Sequence, residues 1–153
     1  MCIVLARKHS AGSLTSPTTV ENESGFTNDP ADDTPTRVSD AEFEAKSYYF
    51  GFPSRPVSVY RTGTPWERPI GPYHVPKEAR PVFDHPIADA WDELGPQVPD
   101  YLDSMNVTWT TIDVVRFTED EKEPGPPVLW IGVKPGSLSR EHAKATVVGC
   151  ESH

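Results

Sequence analysis

The sequence predicts an α+β fold, a small module with an antiparallel strand pair flanked by short helices. Three observations predict it: two neighbouring segments with helical apolar spacing, two segments with strand composition, and a closing segment with a helix cap. A Pro-rich extended arm and an acidic tail precede these elements. The predicted division is a disordered tail over 1–46, an aromatic and Pro-rich arm with one candidate edge strand over 47–83, and a helix-helix-strand-strand-helix core over 84–153.

The tail is predicted to be disordered because its composition is polar. Residues 1–47 carry four basic and eight acidic side chains, and the few apolar residues after residue 9 follow neither a strand period nor a helix period. Such a segment cannot bury enough apolar area to offset the entropy lost on ordering. Near its end, Ser39-Asp40-Ala41-Glu42 favours the start of a short helical turn.

The arm begins with an aromatic cluster made of Tyr48, Tyr49, Phe50 and Phe52. The segment 56–61 then alternates apolar and polar residues, but its flanking prolines allow only a short or edge strand. Further along the arm, prolines recur too often for a helix or a central strand, so we expect an extended segment that lies across the core.

The core starts with two helices. Asp84-His85-Pro86 supplies a cap residue and a proline suited to the first turn, and the apolar face that follows is Ile87, Trp91 and Leu94. Gly95-Pro96 ends this helix. A second helix is predicted from the same spacing in its apolar residues, which are Val98, Tyr101, Leu102 and Met105.

Two strands and a helix complete the core. The segment 107–117 is dense in β-branched and aromatic residues, and 128–133 is a continuous apolar run typical of a strand covered on both faces. An acidic loop joins them, and Ser139 caps the last helix. So small a core leaves two alternatives open. Either a strand from 48–60 completes the sheet, or the chain is a fragment of a larger protein.

The composition of the chain disfavours several classes of partner and location. The 153 residues include 14 basic and 23 acidic side chains, a net charge of -9, which disfavours nucleic acid as a partner. No apolar run approaches a membrane span, and no secretory signal precedes the chain, so we expect an intracellular, cytoplasmic protein. Cys2 and Cys150 are expected to be reduced and unpaired.

Catalytic and metal-binding patterns are weak. No Gly-x-Ser-x-Gly elbow supports a Ser-His-Asp triad, and 136–139 is better explained as a loop and a helix cap. Asp84, His85 and Asp89 have spacing that could share a metal, but no further ligand is evident. A cap beside a solvated face is therefore the favoured interpretation.

A nuclease-like arrangement would use Asp113 on the first core strand and Lys134 after the second. The acid-x-Lys position reads Gly132-Val133-Lys134, so the second carboxylate that would hold a metal is absent. Nucleotide binding lacks its glycine signatures as well, and 132–137 is interpreted as a plain strand-to-helix turn. No catalytic, cofactor-binding or metal-binding residue is assigned.

Recognition through proline motifs is the best supported functional pattern. Three segments have Pro-x-x-Pro spacing, the arrangement that docks as polyproline II on aromatic grooves: 53–56, 69–72 and 96–99. A structural interpretation is favoured over recognition: the Pro-rich arm packs on the chain's own core through Trp66 and Tyr73. Trp91, Trp109 and Trp130 are interpreted as core residues.

Two sequence motifs resemble those of a known protein family. They are Tyr60-Arg61-Thr62-Gly63-Thr64-Pro65-Trp66-Glu67-Arg68-Pro69-Ile70-Gly71-Pro72, with its continuation to His85-Pro86-Ile87, and 129–139. Over about residues 48–148 the chain resembles a basidiomycete-type family of uncharacterised fungal proteins. Beyond this segment, longer members of the family continue into a region that resembles the histidine region of a trypsin-like fold. The resemblance implies a truncated N-terminal module, and it transfers no catalytic residue.

The sequence thus predicts a non-catalytic interaction or accessory module, complete or part of a larger protein, with an unidentified protein partner. Neither nucleic acid nor a membrane is expected as a partner. The alternative is an enzyme: a divergent metal-dependent hydrolase or nuclease using Asp113 and Lys134, or the front part of a trypsin-like hydrolase whose catalytic domain is absent.

Overall fold

A computed structural model gives the fold and describes residues 2–7, 39–71, 74–120 and 122–150, with the backbone alone for 2–7. In chain order the elements are β1 (Cys2–Arg7), α1 (Asp40–Ser47), β2 (Val57–Arg61), β3 (Lys77–Pro81), α2 (Pro86–Leu94), α3 (Gln97–Ser104), β4 (Trp109–Glu119), β5 (Pro127–Val133) and α4 (Arg140–Cys150). The chain has an α+β fold, as the sequence predicts.

The strands form one mixed sheet with β5 at its centre. The strand order is β2-β1-β5-β4-β3. β5 pairs with β4 in antiparallel register and with β1 in parallel register, and both outer strands pair in antiparallel register. Every residue of β5 is buried, so the predicted strand covered on both faces and its antiparallel partner are confirmed.

One face of the sheet is covered by the later helices. Because side chains alternate along a strand, Leu129, Ile131 and Val133 of β5 all point to this face. They pack in one apolar cluster with α3 and α4, represented by Leu102 and Val147. The predicted helices in this part of the chain are confirmed as α2, α3 and α4.

The opposite face of the sheet carries an aromatic cluster. Trp130 of β5 and Phe117 of β4 meet Tyr49 there, with ring centroids 5.5–5.7 Å apart. Tyr49 is only 2% exposed. Phe52 closes the cluster from the loop that follows α1. The aromatic segment that the sequence placed in the arm is therefore the second core of the molecule.

The helix caps follow the sequence closely. The imidazole Nδ1 of His85 accepts a hydrogen bond from the backbone N–H of Ile87 at 3.1 Å, and Pro86 begins α2. The Ser139 hydroxyl accepts from the N–H of His142 at 3.2 Å at the start of α4. Such side-chain acceptors satisfy backbone donors that the first helical turn leaves unpaired.

Two stretches of the predicted disordered tail have regular structure instead. Residues 2–7 form β1, which lies between β2 and β5, and residues 40–46 belong to α1. A six-residue strand is hidden when composition is averaged over a long polar segment, and its partners lie more than 45 residues away along the chain. The remainder of the tail, 8–38, lies outside the described residues.

The predicted arm is also part of the sheet. It supplies both outer strands, β2 and β3, so 47–83 is not separate from the core. β2 is the candidate edge strand that the sequence indicated, and it forms one edge of the sheet. Among the helices that the structure describes, none is both long enough and apolar enough to cross a membrane.

Candidate functional site

The three residues whose spacing could share a metal, Asp84, His85 and Asp89, do not form a metal-binding group in the described part of the chain. His85 uses its Nδ1 atom as the cap of α2, whereas Asp84 and Asp89 are exposed. In the part of the chain that the structure describes, no group of three or more His, Cys, Asp or Glu side chains could hold a metal ion. The favoured interpretation of His85 as a cap is confirmed.

Asp113 and Lys134 lie far apart in the sheet. Asp113 is opposite Trp130 in the β4–β5 register, while the N–H of Lys134 donates to the carbonyl of Thr108 at 3.0 Å. Lys134 is thus four residues beyond the level of Asp113, about 13 Å at the rise of a strand. The structure does not bring these two side chains into one site.

The serine and histidine residues around 137–142 have structural roles. The Ser137 hydroxyl donates to the Lys134 carbonyl at 2.7 Å, and Ser139 caps α4. The His142 ring meets the carbonyl of Met105 through Nε2 at 2.7 Å. The loop-and-cap interpretation of this segment is confirmed.

The three Pro-x-x-Pro segments do not have polyproline II geometry. Arg55 in the first has a φ of 41°, and Gly71 in the second has a φ of 91°. The third segment enters α3, where Pro96 already has helical backbone angles. A polyproline II helix needs φ near -75° throughout, so these segments do not present the surface that such motifs offer to a partner.

The arm instead packs on α1. The Trp66 ring lies 5.8 Å from Phe43, and the His74 ring lies 6.0 Å from Phe43 and 5.1 Å from Phe50. The guanidinium of Arg68 lies 4.0 Å from the Phe43 ring centroid. The favoured packing interpretation therefore holds for Trp66, although its contact is α1; Tyr73 lies outside the described residues.

A cleft lies between this arm and the edge of the sheet. Its volume is about 460 Å³, and an adjoining hollow of about 280 Å³ continues it. The residues that line both spaces are Tyr48, Arg61, Thr64, Lys77, Glu119 and Lys122, which we call the cleft floor. The walls of the larger space include aromatic and proline side chains, among them Phe50, Pro65, Trp66, Pro69 and His74.

Arg61 is held at the floor by three polar contacts. Its Nε donates to Glu44 Oε1 at 2.7 Å, and its Nη1 donates to the carbonyl of Thr64 at 2.8 Å and to that of Thr62 at 3.5 Å. The guanidinium carbon lies 4.7 Å from the Tyr48 ring centroid. These contacts fix both the arginine and the loop that carries the arm away from β2.

Lys77 is the second largely buried cation of the floor, with a side chain 15% exposed beside the 11% of Arg61. Its ammonium donates to the Tyr48 carbonyl at 3.0 Å, lies 3.6 Å from Glu119 Oε1, and stands 4.1 Å from the Tyr48 ring centroid. Burial lowers the pKa of Lys77, and Arg61 and Lys122 lower it further, whereas Glu119 acts against them. The hydrogen bond from Lys122 is the main cause that lowers the pKa of Glu119.

Strand pairing positions these groups. Lys77 is opposite Glu119 in the β3–β4 register, and its N–H donates to the Phe50 carbonyl at 2.8 Å. Gly51 permits this approach because a Cβ there would lie 2.7 Å from the Cβ of Pro76, and the φ of Gly51 is 100°. The floor is therefore built on backbone contacts as well as on ion pairs.

Two apolar side chains are exposed where they line the cleft. Phe50 is 47% exposed and Val75 is 46% exposed. The sequence did not predict this site because its floor residues come from four separated segments of the chain. Its only sequence signal was the aromatic cluster at 48–52.

Comparison with protein-family models, with curated proteins and with solved structures gives no match for this chain. The site must therefore be interpreted from its own geometry.

Proposed function

We propose that this chain is a non-catalytic interaction module and that the cleft binds an extended segment of a partner protein. One observation carries the proposal: the exposed apolar side chains of Phe50 and Val75 line the cleft beside a floor that polar contacts hold in place. Exposed apolar groups that are clustered beside a fixed polar floor are typical of protein-binding surfaces.

The shape of the site supports an extended ligand. The cleft continues into the adjoining hollow, and the two spaces share the floor residues around Tyr48. An extended segment could therefore follow the floor across both spaces, with apolar side chains against Phe50 and Trp66. Aromatic side chains at such positions commonly contribute most of the binding free energy.

The arrangement of the other candidates also favours binding over catalysis. Asp113 and Lys134 are separated along the sheet, and His85 and Ser139 serve as helix caps in the described part of the chain. We further propose an intracellular location and membership of the fungal-type family that 48–148 resembles.

A displayed library of random peptides tests this function. The full-length chain is panned against the library, and the affinity of enriched peptides is measured by fluorescence anisotropy. We expect peptides whose affinity falls about tenfold or more when Phe50→Ser removes the aromatic ring that lines the cleft, as for a central interface residue.

Phe83→Ser is the matched control, because Phe83 is also exposed but does not line the cleft. Its peptide affinity should equal that of the unsubstituted chain. The proposal is rejected if no peptide is enriched, or if the enriched peptides bind equally well to both variants and to the unsubstituted chain.

A further inference from the structure

We infer that the cleft floor contains an anion subsite, in which Arg61, Lys77 and Lys122 receive one carboxylate or phosphate group around Tyr48. The inference rests on the proposed function for the source of that group, an acidic or phosphorylated side chain of the bound segment. The subsite itself can be tested with a free anion.

The cations are close enough to share one ligand. Arg61 and Lys77 lie 4.7 Å and 4.1 Å from the same ring centroid, so their charges are no further apart than the sum of these distances. An oxyanion whose oxygens form an ion pair with each cation can span such a gap. Lys122 lines both adjoining spaces and reaches the floor from the β4–β5 loop.

The lining is less acidic than the chain as a whole. Over both spaces, three cations stand against three carboxylates, Glu67, Glu119 and Glu123, and Arg61 also pairs with Glu44. The whole chain, in contrast, has a net charge of -9. The floor therefore lacks the excess negative charge that would repel an anion elsewhere on the chain.

The three cations can still donate hydrogen bonds to a ligand. Within the described part of the chain, the hydrogen bonds of Arg61 use Nε and Nη1 and leave Nη2 to meet a ligand. Lys77 has three ammonium protons, and its partners are the Tyr48 carbonyl and Glu119. The Lys122 side chain is two-thirds exposed and pairs with Glu119, so it can turn toward a ligand.

The charge balance around Lys77 agrees with this geometry. Burial lowers the pKa of Lys77, and Arg61 and Lys122 lower it further. The carboxylate of Glu119 acts in the opposite direction but does not fully offset these effects. A second anion beside Lys77 would favour its charged form. Binding of a carboxylate or phosphate should therefore raise the pKa of Lys77.

Lysine-selective NMR of the full-length chain tests the subsite. The side-chain signals of all lysines are followed during titration with inorganic phosphate, at an ionic strength held constant with sodium chloride. We expect a saturable shift at Lys77 and Lys122 and a rise in the pKa of Lys77. Lys144, which is exposed on α4, serves as the internal control and should not shift.

Two variants connect the shift to the proposed residues. Arg61→Gln and Lys122→Gln should each weaken phosphate binding by about tenfold, which corresponds to 1.4 kcal/mol. Because Arg61 also holds Glu44 and Thr64, Lys122→Gln is the variant that keeps the test valid if the other fails to fold. Lys144→Gln should leave phosphate binding unchanged.

Equal shifts at all lysines, or unchanged phosphate affinity in Lys122→Gln, would overturn the subsite. The two proposals fail separately. Selected peptides that bind without an acidic or phosphorylated residue, together with no specific phosphate shift, refute the subsite and leave the binding function. A specific phosphate shift without any selected peptide refutes the binding function and leaves a site for free anions.

Discussion

Tyr49 and Lys77 are ionisable groups that this fold largely removes from water, and both contact the ring of Tyr48. The phenol of Tyr49 is buried in its neutral form within the aromatic cluster, whereas Lys77 meets Glu119 at the cleft floor. Burial disfavours the charged form of both groups, so it raises the pKa of Tyr49 and lowers that of Lys77. Burial therefore shifts the pKa values of these two groups in opposite directions.

Tyr49 makes the fold sensitive to alkali. Its pKa in the folded chain is raised well above 10.0, mainly by burial, so the unfolded chain loses this proton first as the pH rises. The stability that Tyr49 contributes is complete below about pH 10 and is lost as the pH rises through its unfolded pKa toward its folded pKa. Tyr49→Phe should remove this loss.

Urea unfolding at pH 8 and at pH 11 measures this effect. The free energy of unfolding should fall less between the two pH values in Tyr49→Phe than in the unsubstituted chain. Tyr60→Phe is the control, because Tyr60 is only partly buried. Equal losses in all three proteins would contradict the assigned role of Tyr49.

At the scale of elements, the sequence predicted those whose signal is local. The apolar run of β5, the β-branched residues of β4 and the apolar faces of α2 and α3 each lie within a dozen residues. The strand β1 was not predicted because its six residues gain order from partners at 57–61 and 127–133. The cleft floor was missed for the same reason, since Tyr48, Lys77 and Glu119 meet only in the folded chain.

The contact between the arm and α1 can be tested with Trp66→Ala. The Trp66 ring is half-buried against Phe43, so its removal leaves an open surface, not an enclosed cavity. We expect a loss of about 1–2 kcal/mol in the free energy of unfolding, below the roughly 3–5 kcal/mol of a fully buried aromatic residue.

Urea unfolding of Trp66→Ala and Trp130→Ala provides the comparison. Trp130 lies in the aromatic core, so its truncation should cost the larger amount. An equal or greater loss for Trp66→Ala would mean that the arm is as much a part of the core as β5. No loss at all would mean that Trp66 does not hold the arm to α1.

At the scale of the whole molecule, the sheet order makes β1 a structural requirement. β1 joins β2 to β5, and without it β5 loses a parallel partner and β2 loses its place in the sheet. Buried backbone N–H and C=O groups of β5 would then lack hydrogen bonds, each of which is costly to leave unmade.

A fragment of residues 39–153, which keeps α1 but lacks β1, should therefore lack a cooperative thermal transition, whereas the full-length chain should have one. Near-ultraviolet circular dichroism of the tryptophans follows both. Adding a peptide of residues 1–9 to the fragment should restore the transition, and a peptide with the same residues in scrambled order should not. A cooperative transition of the fragment alone would show that β1 is dispensable.

The parallel pairing of β1 with β5 also affects how the chain is made. The ribosome releases Cys2–Arg7 early, but its partner Pro127–Val133 emerges after more than a hundred further residues. Until then the first strand cannot form that ladder, and closing so long a loop slows folding more than local contacts do. The nascent chain must keep β1 from pairing with other chains until Pro127–Val133 has been synthesised.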